Sequence, residues 1–225
     1  MSTPLVIIGA GGFSLEAIWL ANAMNDAGTG DWSIVGLADD GVAAGETVGG
    51  FQVLGAPREV VPTLPPDTAF HIAIGDNRVR LRVAAELIVA GLKPASLISP
   101  KAVIAEKVEI GPGSFVGHFV SLAPEVRIGA QCLINVSAVV GHEAVLADGV
   151  QVCPGAVVTG RCQAGEGAFV GSNAVLSPEV TIGAWSRVSA NTFAATNVDD
   201  GVTLATMPGR PVFSRRRERK PSTTD

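Results

Sequence analysis

The chain contains three histidines, His71, His118 and His142, and only His142 is followed directly by a carboxylate, Glu143. A neutral imidazole is a good proton acceptor near neutral pH. A carboxylate beside it can fix the orientation of the ring and raise its basicity. Such a pair suits a reaction whose nucleophile must lose a proton, for example an amine with a pKa of about 8. Successive residues of a strand point to opposite sides, so Glu143 can reach His142 only where the chain turns a corner, or from a neighbouring subunit. His71 lies inside an apolar run and reads as structural. Cys132, Cys153 and Cys162 are odd in number and lack metal-ligand spacing, so they read as buried thiols in a reducing compartment, with no metal bound. No Ser or Cys adjoins His142 in sequence, so direct attack is expected over a covalent intermediate on the protein.

The elements that must carry this pair are set by a period of six. From Ile98 to Phe193 the chain holds 16 hexads in phase, each led by an aliphatic residue or Ala. The fifth position is always small or β-branched, for example Ala102, Ser114, Cys132, Ala156 and Cys162. Six matches neither the 3.6 of a helix nor the 2 of a strand. It matches a chain that turns a corner every six residues, with one large and one small side chain pointing inward on each side. That is a β-helix, and three sides of six residues close one coil, giving roughly five coils over this stretch. His118 and His142 both take the third place of a hexad, where side chains are expected to point outward.

The residues before the repeat have a different rhythm. Leu5 to Ile8 is a short strand that ends in Gly9-Ala-Gly11-Gly12-Phe-Ser14, and a helix follows with Leu15, Ile18, Trp19 and Ala23 on one face. Strands over Trp32 to Ala38 and Ala69 to Ile74 end at Asp39-Asp40 and Gly75-Asp76-Asn77, and a second helix is predicted from Asn77 to Ala90. Strand, Gly-rich turn and helix N-terminus form a context in which backbone amides hold phosphate. Ser14 stands where a dinucleotide fingerprint has its third Gly, and Asp39 follows Gly12 by 27 positions rather than about twenty. The domain is also too short for a second mononucleotide half, so a nucleotide-sugar diphosphate fits better than a nicotinamide dinucleotide. Gly9, Gly11, Gly12, Asp39, Gly75 and Asn77 are its candidate substrate contacts. The division expected is 1–97 for a small Rossmann-like parallel α/β domain, 98–213 for the β-helix and 214–225 for a basic tail.

Apolar residues make up 47% of the chain and charged residues 16%, so both domains can bury cores. The net charge of −5 excludes a general nucleic-acid footprint, with Arg215 to Lys220 the one basic run. No apolar stretch is long enough to span a membrane. The first residues lack the basic start of a secretory signal, which favours a cytoplasmic protein.

The [LIV]-G-x-x-[small]-x hexads behind a Gly-Ala-Gly-Gly domain resemble the bacterial nucleotide-amino-sugar N-acetyltransferases and the related sialic acid O-acetyltransferases. Met207-Pro-Gly-Arg-Pro is similar to that family's usual Gly-x-Pro-Ala-Lys/Arg end. The resemblance covers about 4 to 213. It implies a left-handed β-helix, a homotrimer, a nucleotide sugar on the first domain and acetyl-CoA between subunits. The family's His-Glu pair falls on His142 and Glu143, and an Asn seven residues earlier falls on Asn135. A second family histidine, nine residues after the first, is replaced here by Gln151, which can hydrogen-bond a thioester carbonyl but cannot shuttle a proton. Gly160, Ser172 and Ala190 match positions whose backbone lies along the coenzyme. The expected activity is N-acetylation of a nucleotide-linked amino sugar with His142 as general base. The alternatives are O-acetylation of a sugar hydroxyl and a noncatalytic β-helix assembly module.

Overall fold

The computed structural model describes residues 2–206, and all that follows concerns those residues. The 207–211 element and the basic tail therefore lie outside it.

Four parallel strands form the first sheet, in the order β2-β1-β5-β6. They are β1 (Thr3–Ile8), β2 (Trp32–Ala38), β5 (Ala69–Ile72) and β6 (Lys93–Pro94). A two-residue hairpin, β3 (Thr47–Val48) with β4 (Phe51–Gln52), and a short helix α2 (Pro57–Val60) lie between β2 and β5. Helices α1 (Gly12–Asp26) and α3 (Asn77–Val89) make the crossovers. β1 is central and all but its first two residues are buried, as a strand covered on both faces should be. α1 buries Ala17, Ile18, Leu20, Ala21 and Met24, whereas Leu15 and Trp19, placed with Ile18 on one face by their spacing, are about half exposed.

From Leu97 the chain winds into a left-handed parallel β-helix. Its first face has seven strands, from Leu97–Ile98 to Thr203–Leu204. The second face has six, from Val103–Ile104 to Phe193–Ala194, and the third has five, from Glu109–Ile110 to Thr181–Ile182. Phe115 pairs with Leu133 and Gln151 with Phe169, eighteen positions on. The lead and fifth residues of successive hexads fill one continuous core. There are about six turns rather than five. The prism outlasts the sequence period because the last coil is two residues short: Ile182 bridges to Val198 and Arg187 pairs with Thr203, sixteen positions on.

The fourth position of the hexad makes the corners. Glu125, Gln131, Glu143, Arg161 and Trp185 all have φ near +60°. Each costs a non-glycine residue roughly 1–2 kcal/mol. In return the amide of that residue reaches the coil before it: Glu143 donates to Pro124, and Arg161 donates to His142.

The first domain sits on the first face. Leu97, Phe115 and Leu133 point out of the prism into the apolar side of α1, with the Phe13 and Phe115 rings 5.0 Å apart.

Candidate functional site

His142 and Glu143 occupy the corner between the second and third faces. The φ of +59° at Glu143 swings its carboxylate to the same outer edge as the imidazole. His142 Nδ1 and Glu143 Oε2 are 2.9 Å apart, and both side chains are about half exposed. The corner, rather than a second subunit, lets these adjacent residues meet. Gly160, one coil on, lies beneath the ring: a Cβ built there would fall 2.5 Å from His142 Nε2. Arg161 stands 3.8 Å from Glu143 and 2.7 Å from Glu179, which extends the pair into a ladder of charges along the corner.

Asn135 is not beside His142. It is buried at the opposite corner of the second face, and the strand Val139–Val140 runs between them. Ser172 and Ala190 stack along Asn135's corner, while Gly160 belongs to that of His142. The expected coenzyme contacts are thus divided between two corners of one chain.

Gln151 is elsewhere again, on the outside of the first face. Its Oε1 is buried without a hydrogen-bond partner, and its Nε2 lies 3.6 Å from Cys153 Sγ. It lines a cleft of about 410 Å3 between the two domains, whose other wall includes Gly75 and Asn77. Residues expected at the sugar nucleotide and at the coenzyme therefore share one space. Asn77, however, uses its side chain inside the protein: Nδ2 donates to the Gly167 carbonyl at 2.9 Å and Oδ1 accepts from Arg80. Its first role is to hold the domains together.

In the Gly-rich turn, Gly9 has φ +106°, and a Cβ there would meet the Ala73 carbonyl oxygen at 2.9 Å. Gly11 and Gly12 are exposed, with nothing within 4 Å of a Cβ built at either. Ser14 fits where glycine was expected because its hydroxyl folds back onto the Gly11 carbonyl at 2.6 Å. Asp39 turns its carboxylate onto backbone amides, with Ala10 on one oxygen and Gly41 on the other, each at 2.7 Å. It braces the turn.

Burial sets the state of several other groups. His118, expected at an exposed side, is buried beneath the Trp19 ring with Nδ1 2.7 Å from Ser99 Oγ, and its pKa is lowered by desolvation and then by Lys101. The hexad pattern reports only the prism, and α1 covers this corner. His71 is held at about 4 by complete burial. Burial pushes the Cys153 thiol up to about 11 and Cys132 to about 12, so neither is a ready nucleophile. Arg80 was not singled out by sequence, although it contacts both domains. A charged residue at a mid-helix position gives no local sign of burial.

Residues 4–87 match the PglD N-terminal domain family. The GDP-perosamine N-acetyltransferase of Escherichia coli O157:H7 is 30% identical over 144 residues, which span 63% of either chain. PerB from Caulobacter crescentus, solved with CoA and GDP-perosamine, is 29% identical with a TM-score of 0.80, covering 89% of this chain and 92% of its own. The chain is similar to these N-acetyltransferases over most of its length. Another similar structure, the acetyltransferase domain of PglB from Neisseria gonorrhoeae in complex with acetyl coenzyme A, is 26% identical. Its TM-score is 0.81, over 94% of this chain and all of its own. Among the described residues, no three His, Cys, Asp or Glu side chains gather as metal ligands, and no helix is long and apolar enough to cross a membrane.

Proposed function

We propose that this protein is an N-acetyltransferase that moves an acetyl group from acetyl-CoA to the amine of a nucleotide-linked amino sugar. The observation that carries the reading is the interdomain cleft, where the loop after β5 faces Gln151. An acceptor held by the first domain and a thioester lying on the first face would meet there. The relatives' complexes with CoA and GDP-perosamine support both ligand classes and make GDP-perosamine the first acceptor to assay.

In this mechanism the sugar nitrogen attacks the thioester carbonyl, forming the C–N bond. The carbonyl oxygen gains charge, and Gln151 Nε2 donates to it. As the tetrahedral centre collapses, the C–S bond breaks and the CoA thiolate leaves. His142 takes the proton lost by the nitrogen, with Glu143 holding Nδ1 so that Nε2 is the accepting atom. Two histidine variants of the Caulobacter enzyme have been crystallised with CoA and GDP-perosamine, which is consistent with a histidine at the centre of the chemistry.

His142 and Asn135 lie at opposite corners of one prism, so a single chain does not assemble this site. A second copy set against the second face would bring its own His142 corner to the Asn135, Ser172 and Ala190 corner. That face is suited to burial: Val103, Val139 and Phe193 are exposed along it. The assembly proposed is a homotrimer with each acetyl-CoA between two subunits, working in the cytoplasm where its co-substrate is made. Light scattering should give three copies, and a fully active monomer would overturn the arrangement. The function is tested by acetyl transfer to GDP-perosamine and to its hydroxy analogue. Transfer to the hydroxy sugar alone would make the enzyme an O-acetyltransferase.

A further inference from the structure

Seven arginines lie among the described residues, and five have polar partners in the protein. Arg58, Arg82, Arg127 and Arg161 each lie within 4.0 Å of a carboxylate. Arg80 is hydrogen-bonded throughout its guanidinium. The remaining two, Arg78 and Arg187, have neither an ion pair nor a side-chain hydrogen bond within the described residues, and both line the interdomain cleft.

Each is nevertheless held in place. The Arg78 guanidinium lies 4.0 Å from the centre of the Trp185 ring, and that of Arg187 lies 4.0 Å from the centre of Phe169. The two pairs come from different places in the chain: Arg78 from the first turn of α3, and Trp185, Phe169 and Arg187 from the prism. Stacking occupies the flat face of a guanidinium and leaves its in-plane N–H donors pointing outward. Those donors match the oxygens of a phosphate or diphosphate. Asp76 is the one carboxylate lining the cleft, and it is turned onto the amide of Val79 as the cap of α3, with Oδ1 2.9 Å from that nitrogen.

We infer that Arg78 and Arg187, planted on Trp185 and Phe169, form a phosphate-binding subsite in the cleft beside Gln151. Resting on the proposed function, its ligand is the diphosphate of one of the two reactants, the nucleotide sugar or the coenzyme. This differs from the expectation that Gly11 and Gly12 approach the diphosphate, because neither lines the cleft. The subsite would also select, since an acceptor sugar without its nucleotide, or an acyl-pantetheine without its diphosphate, would leave two guanidinium groups unanswered.

The test uses the full-length protein and calorimetric titration with GDP and, separately, with CoA. Arg78→Gln, Arg187→Gln and the double variant are compared with the parent. Both side chains are exposed, so folding should survive, and thermal melting checks that it does. Charge-assisted hydrogen bonds of this type support a loss of about tenfold to a hundredfold in affinity. A loss confined to GDP makes the nucleotide sugar the source of the phosphate, and one confined to CoA makes it the coenzyme. Arg187→Lys keeps the charge without the flat stack and should recover only part of the affinity. The parent's affinity for the affected ligand should also fall more steeply with added salt than the double variant's. A double variant that binds both ligands within about twofold of the parent overturns the subsite. A parent protein that binds these ligands but transfers no acetyl group counts against the proposed reaction and leaves the subsite standing.

Discussion

Arg80 donates from Nε to the carbonyl oxygen of Gln131 at 2.8 Å, across the boundary between the two domains. Its Nη2 reaches the Gly149 carbonyl at 2.9 Å, and its Nη1 reaches that of Ile74 at 3.0 Å. The side chain is fully buried and answered by carbonyl dipoles, with burial lowering its pKa to about 10. Arg80→Met leaves three carbonyls without this donor, at about 1 kcal/mol or more each. The melting temperature should fall by about 10 °C, taking 2–4 °C per kcal/mol for a chain of this size. A melting temperature within about 2 °C of the parent would show that the domains do not depend on this clasp.

Gly160 should be as sensitive as the proposed catalytic pair, His142 and Glu143. Its φ lies outside the left-handed region, so Ala is acceptable to the backbone, but the added methyl would sit 2.5 Å from His142 Nε2. Gly160→Ala should therefore keep the melting temperature and push the imidazole aside. Misplacing a catalytic group by about 1 Å costs about a hundredfold in rate. His142→Ala should lose about 10²- to 10⁴-fold in kcat with nucleotide-sugar affinity nearly intact. If Gly160→Ala turns over at the parental rate, the ring is not used in the position seen.

The two ends of the Gly-rich turn should separate stability from binding. Gly9→Ala forces a side chain onto a φ of +106° and against the Ala73 carbonyl, so it should destabilise the fold. A Cβ built at Gly11 meets no protein atom within 4 Å and the residue is exposed, so the melting temperature of Gly11→Val should hold. If the turn approaches the nucleotide sugar, calorimetry should show weaker binding of that ligand and unchanged binding of CoA. Parental affinity for both in Gly11→Val would remove the turn from the binding site.

Acid should destabilise the protein partly through His71. Its Nδ1 lies 2.9 Å from the Ala95 carbonyl oxygen, and complete burial lowers its pKa to about 4, with Arg80 adding to the effect. The unfolded chain takes up a proton near pH 6.5 and the folded one does not until about pH 4, so the unfolded state binds more protons between them. Stability is unaffected by this group above about pH 6.5 and falls as pH drops toward 4, by up to about 3 kcal/mol. His118, also lowered, acts in the same direction. Urea denaturation from pH 7.5 to 4.5 should trace this loss, and His71→Asn should flatten most of it. An equal slope in the variant would assign the acid sensitivity to other groups.

The prism was legible in the sequence because its information is local. A lead residue such as Ile134 and a fifth residue such as Ala138 repeat every six positions, and the same core receives each pair. The turn after β1 and the helices at Gly12 and Asn77 were legible for the same reason, since they depend on near neighbours. Ser14 was the exception, and its hydroxyl takes up a backbone carbonyl only three residues away.

Contacts between distant parts of the chain could be decided only by the tertiary structure. Arg80 meets Gln131 across 51 positions and Asn77 meets Gly167 across 90, and neither residue type signals such a partner. His118 obeys the hexad rule for an outward residue, yet Trp19 from the other domain buries it. The final coil shortens by two residues, so the sequence period stops while the sheet continues. His142 and Glu143 meet because the corner turns with a positive φ, whereas Asn135, seven residues earlier, is carried to another corner by the same winding. A six-residue period says which side chains point in or out. It does not say what a separate domain, packed on one face, will cover, or which outward residues will share a cleft.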